Sequence, residues 1–248
     1  MAMDKQLQVS SSPHIDIAED TRSLMLDVII ALTPALLLSV FYFGFRALIL
    51  TLISVASCIA FEFLYRRLMK KHTTIGDLSA VVTGILIAFN LPASAPYWMV
   101  VVGAFFAIVI VKQLYGGLGK NFMNPALAAR AFLLSWPTTM STWPKVFEKV
   151  PLIGQTADVV TAATPLAALK SGTLPDNTLM ELLLGQHGGT LGETSAIVLL
   201  IGGVYLVLRK VISPRIPLFY IGTVAVVTFI FPRGGVNNLQ WMLYNVLS

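Results

Sequence analysis

Charge is scarce in this sequence. Only 12% of its 248 residues are Asp, Glu, Lys or Arg, about half the share of an average soluble domain. Apolar side chains make up 56% of the chain and the mean hydropathy is +0.79, which excludes a disordered segment and an ordinary water-soluble globule. Cysteine is scarcer still. Cys58 stands alone, so an internal disulfide and any multi-thiolate centre within the chain, whether a four-cysteine zinc site or an iron–sulfur cluster, are excluded. His14, His72 and His187 lie far apart, none in a HExxH or CxxH spacing. There is no GxSxG elbow, no Walker loop and no GxGxxG after a strand. The net charge of +5 is scattered, without an aromatic-interleaved basic patch, which argues against a nucleic-acid partner.

What is abundant is membrane-compatible sequence. A helix needs about 20 mostly apolar residues to cross a bilayer core. Leu24 to Phe45 and Ala47 to Leu64 fit, the first interrupted by Asp27 and Pro34, the second followed by Arg66, Arg67, Lys70 and Lys71. Shorter runs follow at Leu78 to Leu91, Tyr97 to Val111 and Pro125 to Trp136. A polar stretch from Pro137 to Gly192 precedes the runs Thr194 to Leu208 and Ile216 to Phe231, and Leu239 to Ser248 opens another. That last run is half the needed length, so the chain reads as a fragment of a longer protein.

The opening residues lack the basic-then-apolar order of a signal peptide, and a cytoplasmic start follows as the working assumption. With one crossing per run, the inner side collects Lys5, Arg22, Arg66, Arg67, Lys70, Lys71, Lys112, Lys120, Arg209, Lys210 and Arg215. The outer side collects Arg46, Lys145, Lys149, Lys170 and Arg233, and Arg130 lies within a run. Eleven against five satisfies the positive-inside rule and puts the 137–192 loop outside the cytoplasm.

The runs from Leu78 to Trp136 are broken at Leu91-Pro92, Gly116-Gly117 and Asn124-Pro125. Broken helices persist at membrane depth only where they are buried in protein or line a cavity. Gly116-Gly117-Leu118-Gly119-Lys120-Asn121 is a helix break rather than a phosphate loop, since it lacks GK[ST] and a preceding strand. Asp77 reads as a helix N-cap and Asn90 as that helix's end. Ionisable groups in apolar runs are costly and face a cavity or a partner. Glu62 is expected to pair with Arg66 one turn on. Asp27 either serves a function or reaches interfacial water. Arg130 either lines an ion or cofactor cavity or is structural, in a helix started by Asn124 as cap and Pro125 at the first position.

In the polar loop, Asp158-Val159-Val160-Thr161-Ala162-Ala163-Thr164-Pro165-Leu166-Ala167-Ala168-Leu169-Lys170 places Thr164 as the cap and Pro165 as the first residue of a short amphipathic helix. A hydroxyl there sits beside unpaired N–H groups, where a phosphate is well held.

Several segments together resemble the RnfD/NqrB family, membrane subunits of the Rnf ion-translocating electron-transport complex and of the sodium-pumping quinone reductase. They are Ser12-Pro13-His14-Ile15, Thr21-Arg22-Ser23-Leu24-Met25, Gly76-Asp77-Leu78-Ser79-Ala80-Val81-Val82-Thr83-Gly84, Leu91-Pro92, Gly116 to Asn121, Asn124-Pro125-Ala126, Thr161 to Leu166 and Gly192-Glu193-Thr194-Ser195. Their order and spacing, over nearly the whole chain, carry the likeness.

The resemblance implies that FMN is joined through its phosphate to a threonine in a [ST]-x-A-T motif, by a flavin transferase acting outside the cytoplasm. The motif here is Thr161-Ala162-Ala163-Thr164, and Thr164 matches the acceptor. Thr161 and Ala162 depart mildly from the Ser and Gly that the family more often shows. A redox subunit with one thiol needs an organic cofactor, which a covalent flavin supplies; a second, non-covalent flavin (riboflavin) is implied within the membrane part. No side chain need act as acid, base or nucleophile.

The resemblance also implies an all-α, polytopic integral membrane fold with urea-transporter-like inverted helix repeats, the second truncated. Residues 1–23 form a cytoplasmic N-terminal segment, 24–136 the first repeat, 137–192 the extracytoplasmic flavin-bearing loop and 193–248 the start of the second repeat. The implied role is electron transfer in a complex that couples ferredoxin:NAD oxidoreduction to Na⁺ or H⁺ movement across the cytoplasmic (inner) membrane, with RnfA, RnfB, RnfC, RnfE and RnfG as partners and lipid around the helices. From a different class comes a channel or carrier of urea-transporter type without a redox role, and a third reading is a scaffold subunit that carries no flavin.

Overall fold

The computed structural model describes residues 20–147, 150–152, 164–193, 195–233 and 237–247. Every regular element among them is a helix. Helices α1 (Thr21–Phe43) and α2 (Phe45–Leu68) are long and apolar enough to cross a membrane and form an antiparallel hairpin around one residue. Gly44, at φ 78°, makes this tight reversal, a conformation that a side chain would strain.

The broken runs then appear as short helices. A 3₁₀ turn, Ile75–Asp77, leads into α3 (Ser79–Phe89). The assigned cap is Leu78, yet the Asp77 carboxylate accepts from the Ser79 amide at 2.8 Å, so Asp77 does the capping expected of it. Asn90 ends the helix, also as expected. Helix α4 (Tyr97–Phe105) passes into a π-helical segment, Phe106–Gln113, which extends the run two residues beyond the sequence expectation. The chain then turns through Gly116, Gly117 and Gly119, all at positive φ, the break read from the sequence. Helix α5 (Pro125–Leu133) follows, with Asn124 Oδ1 accepting from the Ala126 amide at 2.9 Å. It is shorter than the expected run because Pro137 opens a separate turn, α6 (Pro137–Met140).

These helices pack through small residues, as membrane helices do. A Cβ on Gly84 would lie 2.6 Å from Val55 Cα, and one on Gly103 would lie 2.8 Å from a Leu133 methyl. Leu50, Cys58, Ile87, Met99, Ile108 and Leu133 fill the interior between them.

The polar loop contributes α7 (Pro165–Lys170) and α8 (Leu179–Leu184). It is pinned to the end of α1: the Tyr42 hydroxyl donates to Leu184 O at 2.9 Å and the Phe147 amide to Tyr42 O at 3.1 Å. Helices α9 (Ala196–Leu208), α10 (Arg215–Ile230) and α11 (Asn238–Leu247) complete the described chain. Helix α9 lies on α1, so closely that a Cβ on Gly202 would meet Ala31 O at 2.5 Å, while α10 packs mainly on α11.

Candidate functional site

Burial of polar groups between α2, α3 and the π segment builds one constellation. Glu62 is fully buried on α2. Lys112 Nζ donates to its Oε2 at 2.7 Å and to Ser79 Oγ at 2.6 Å, and the Thr74 hydroxyl donates to Oε1. The expected Glu62–Arg66 pair does not form. One turn along, Arg66 reaches Gln113 Oε1 at 3.0 Å and His72 O at 3.1 Å, and Glu62 is left facing the helix that brings Lys112. Lys112, counted from the sequence as a charge at the inner surface, is instead 2% exposed. The clue was present: a buried acid requires a buried cation, and Lys112 lies at the end of an apolar run.

Asp27 is buried rather than open to interfacial water. It accepts from the Tyr205 hydroxyl at 2.8 Å and from Arg209 Nε and Nη2 at 3.3 Å, which ties α1 to the end of α9. Arg46, counted as a charge in an outer loop, lies in the first turn of α2 at 3% exposure. Its guanidinium donates to Ala93 O at 2.8 Å, Ala95 O at 3.0 Å and Pro151 O at 2.6 Å, and stands 4.9 Å from the centre of the Tyr97 ring. Arg46 thereby holds the residues after α3 and the base of the polar loop to one point. Removing Lys112 and Arg46 from the surface count leaves ten charges against four, with the same sense.

Arg130 is one-third exposed. It donates to Asn90 Oδ1 at 2.9 Å and stands 3.8 Å from Glu193. These contacts join the end of α3 to the 3₁₀ turn Leu191–Glu193, and the Leu191 amide reinforces the junction by donating to Leu91 O at 3.0 Å.

Thr164 occupies the position the sequence indicated. Its backbone is extended (φ −73°, ψ 145°), Pro165 is the first helical residue, and Oγ1 accepts from the Ala167 amide at 3.3 Å. Pro165 and Leu169 are buried beneath it, which fixes α7, while Thr164 itself is only half-buried. Thr161, Ala162 and Ala163, like His14 and the rest of residues 1–19, lie outside the described residues. His187 meets Gly188 O at 3.3 Å, and no group of three or more metal-binding side chains occurs among the described residues.

Comparison with known proteins decides the lineage: a family profile described as NQR2, RnfD, RnfE matches residues 8–248. The chain belongs to this family. Among curated relatives, the D subunit of the Na(+)-translocating ferredoxin:NAD(+) oxidoreductase complex of Acetobacterium woodii is 52% identical over 226 residues, covering 89% of this chain and 68% of the relative. The D subunit of the proton-translocating ferredoxin:NAD(+) oxidoreductase complex of Clostridium ljungdahlii is 39% identical, covering 93% and 70%. The D subunit of the ion-translocating oxidoreductase complex of Rhodobacter capsulatus is 36% identical, covering 90% and 70%. Within the NQR2, RnfD, RnfE family frame, Thr164 and the Glu62–Lys112 cluster emerge as separate features. The first is an accessible hydroxyl on the polar loop, the second a sealed ionic cluster among the helices.

Proposed function

We propose that this chain is the D subunit of an Rnf-type membrane complex, an electron carrier in ion-translocating ferredoxin:NAD oxidoreduction, and that FMN is esterified to Thr164. The observation that carries the reading is the accessible Thr164 hydroxyl, held at the head of an anchored helix on the polar loop. The relatives named as D subunits of such complexes support it. Relatives named for Na⁺ and for protons lie at 52% and 39% identity, so Na⁺ is the better-supported coupling ion of the two.

The side chains present fit a phosphate-tethered flavin. Among the described residues, the Thr164 oxygen takes part in one long hydrogen bond, from the Ala167 amide, and Pro165 has no N–H to add a second. Bound there, the flavin supplies the electron-carrying chemistry that side chains lack. The rest of the chain positions that oxygen. Tyr42 and Phe147 fix the loop to α1, and Arg46 clamps its base. In this reading the N-terminus is cytoplasmic, residues 137–192 lie on the outer face of the cytoplasmic membrane, where a flavin transferase works, and a second, non-covalent riboflavin sits among the helices. RnfA, RnfB, RnfC, RnfE and RnfG complete the complex, and the helices carry urea-transporter-like inverted repeats.

The test is a denaturing gel. The chain produced with an active flavin transferase gives an ultraviolet-fluorescent band, and Thr164→Val abolishes it. Digestion of the wild-type band gives the Thr164 peptide heavier by one esterified FMN. A dark wild-type band, or a bare peptide mass, sinks the proposal.

A further inference from the structure

Helix α2 is 24 residues long, about 36 Å at 1.5 Å per residue, so its last turn lies a bilayer's width from the Gly44 reversal and the polar loop. Arg66 and Arg67 stand in that turn, and Lys70 and Lys71 follow it. The glycine turn after the π segment brings Lys120 to the same end. Arg66 Nε donates to Gln113 Oε1 at 3.0 Å, and a Cβ on Gly117 would lie 2.7 Å from Arg66 Nη2. A Cβ on Gly116 would lie 2.9 Å from Lys120 Cδ. Two adjacent glycines thus let both cations rest on one turn. Between residues 63 and 123 the sequence has a single carboxylate, Asp77, and its Oδ1 accepts from the Ser79 amide and hydroxyl. None of the ion pairs among the described residues involves Arg67, Lys70, Lys71 or Lys120, and all four are exposed.

We infer that this patch binds the phosphate headgroups of acidic phospholipids, with Arg67, Lys70, Lys71 and Lys120 as the contacting cations. The inference is independent of the flavin tether. Charge complementarity selects an anion, since four exposed cations face no acid of their own chain. The surroundings of the cations select a lipid rather than a soluble anion. Leu68, Met69, Leu114, Tyr115, Phe122 and Met123 are exposed beside them, and the Tyr115 and Phe122 rings stand 4.7 Å apart. Two of the cations lie over rings of α2 rather than pointing away from it. The Arg67 guanidinium is 5.9 Å from the centre of the Phe63 ring, and Lys71 Nζ is 5.6 Å from that of Tyr65. Such side chains lay their stems along an apolar flank and hold the charge at its rim, which is where a headgroup meets its acyl chains. With the N-terminus in the cytoplasm, as proposed above, the patch meets the inner leaflet.

The experiment titrates the full chain, in a neutral detergent at low salt, with dioleoylphosphatidylglycerol, dioleoylphosphatidylcholine or inorganic phosphate, and reads the thermal unfolding midpoint. Phosphatidylglycerol raises the midpoint to a plateau, and high salt weakens the effect. Phosphatidylcholine raises it less, and inorganic phosphate leaves it unchanged. A cation near an acidic headgroup contributes about fivefold in affinity, so Lys120→Gln raises the half-saturating phosphatidylglycerol concentration by about that factor. Combining Arg67→Gln, Lys70→Gln and Lys71→Gln raises it by more than about tenfold. Removing three exposed cations elsewhere, by Lys145→Gln, Lys170→Gln and Arg233→Gln together, leaves it unchanged. Every substituted side chain is exposed, and the midpoint without lipid checks that each variant folds; Lys120→Gln, in a separate loop, gives a second reading. Equal rises with the two lipids, a comparable rise with inorganic phosphate, or patch and control variants that weaken binding alike would each overturn the proposal.

Discussion

From α2 to α5 the chain supplies its own interior, whereas from α9 to α11 it barely does. Leu50, Met99, Ile108 and Leu133 are sealed in the first region, together with the charged groups of Arg46, Glu62 and Lys112. In the second, Gly202 is the one buried residue of α9 and Trp241 that of α11, and α10 has none among the described residues. Ile216, Phe219 and Tyr220 stand more than 70% exposed. The helices of both regions are rich in apolar side chains, so hydropathy does not separate them. Small residues and polar partners do. In lipid, an apolar side chain gains little by exchanging lipid for protein, and close packing and hydrogen bonds carry association. A charged group at that depth has no such freedom. Buried polar pairs therefore mark where a membrane chain is packed on itself, and bare apolar helices mark where its surroundings do the covering.

The largest effect should come from breaking the buried pair. Lys112→Ala leaves the Glu62 carboxylate sealed among α2 and α3 with the Thr74 hydroxyl as its remaining partner among the described residues. Removing one partner of a buried ion pair costs about 3–5 kcal/mol, read as a fall in thermal unfolding midpoint in detergent. Replacing both, Glu62→Met with Lys112→Met, should recover most of the loss, since a well-packed apolar pair is often neutral relative to a buried ion pair. If the double variant is as unstable as the single one, the cluster is held by more than charge pairing.

A smaller effect separates two glycines. At Gly84 a methyl group would lie 2.6 Å from Val55 Cα, while at Gly222 nothing stands within 4 Å. Gly84→Ala should cost about 1–3 kcal/mol by forcing α2 and α3 apart. Gly222→Ala should be neutral or stabilising by up to about 1 kcal/mol, because alanine favours the helix. Equal losses at both positions would mean that α10 is as closely packed as α3.

The same contrast explains what was legible in the sequence. Each of the eight apolar runs became a helix, with ends displaced by no more than about four residues, the usual uncertainty of such boundaries, because apolar length and the Asn124-Pro125 and Thr164-Pro165 caps are local signals. Thr164 was legible for the same reason, as cap and proline chemistry occupies adjacent residues. The pairing of charges was not. Glu62 has Arg66 one turn away and Lys112 fifty residues away, and local spacing favours the wrong partner. Arg46 looked like a loop charge because the hairpin closes on a single glycine, which draws its position into the helix. Its partners are backbone carbonyls of Ala93, Ala95 and Pro151, which carry no side-chain signature. Asp27 found Arg209 only because α9 folds back across α1. Which charges meet depends on the helix arrangement, and that is the non-local part of the fold.

The smallest expected effect probes the bare face directly. Leu218 and Phe219 on α10 are 68% and 75% exposed and border a shallow groove with Gly222 and Thr223. Leu218→Ala and Phe219→Ala should each change unfolding free energy by no more than about 0.5 kcal/mol, the range for side chains with few partners. Measured on the isolated chain in detergent, that outcome says that α10 is held by α11 and the solvating amphiphile alone. Measured in the assembled complex, the same substitutions report on what surrounds α10 there. A loss in the complex that is absent from the isolated chain assigns the face to another protein surface, because lipid and detergent chains reshape around a missing side chain and a packed interface does not.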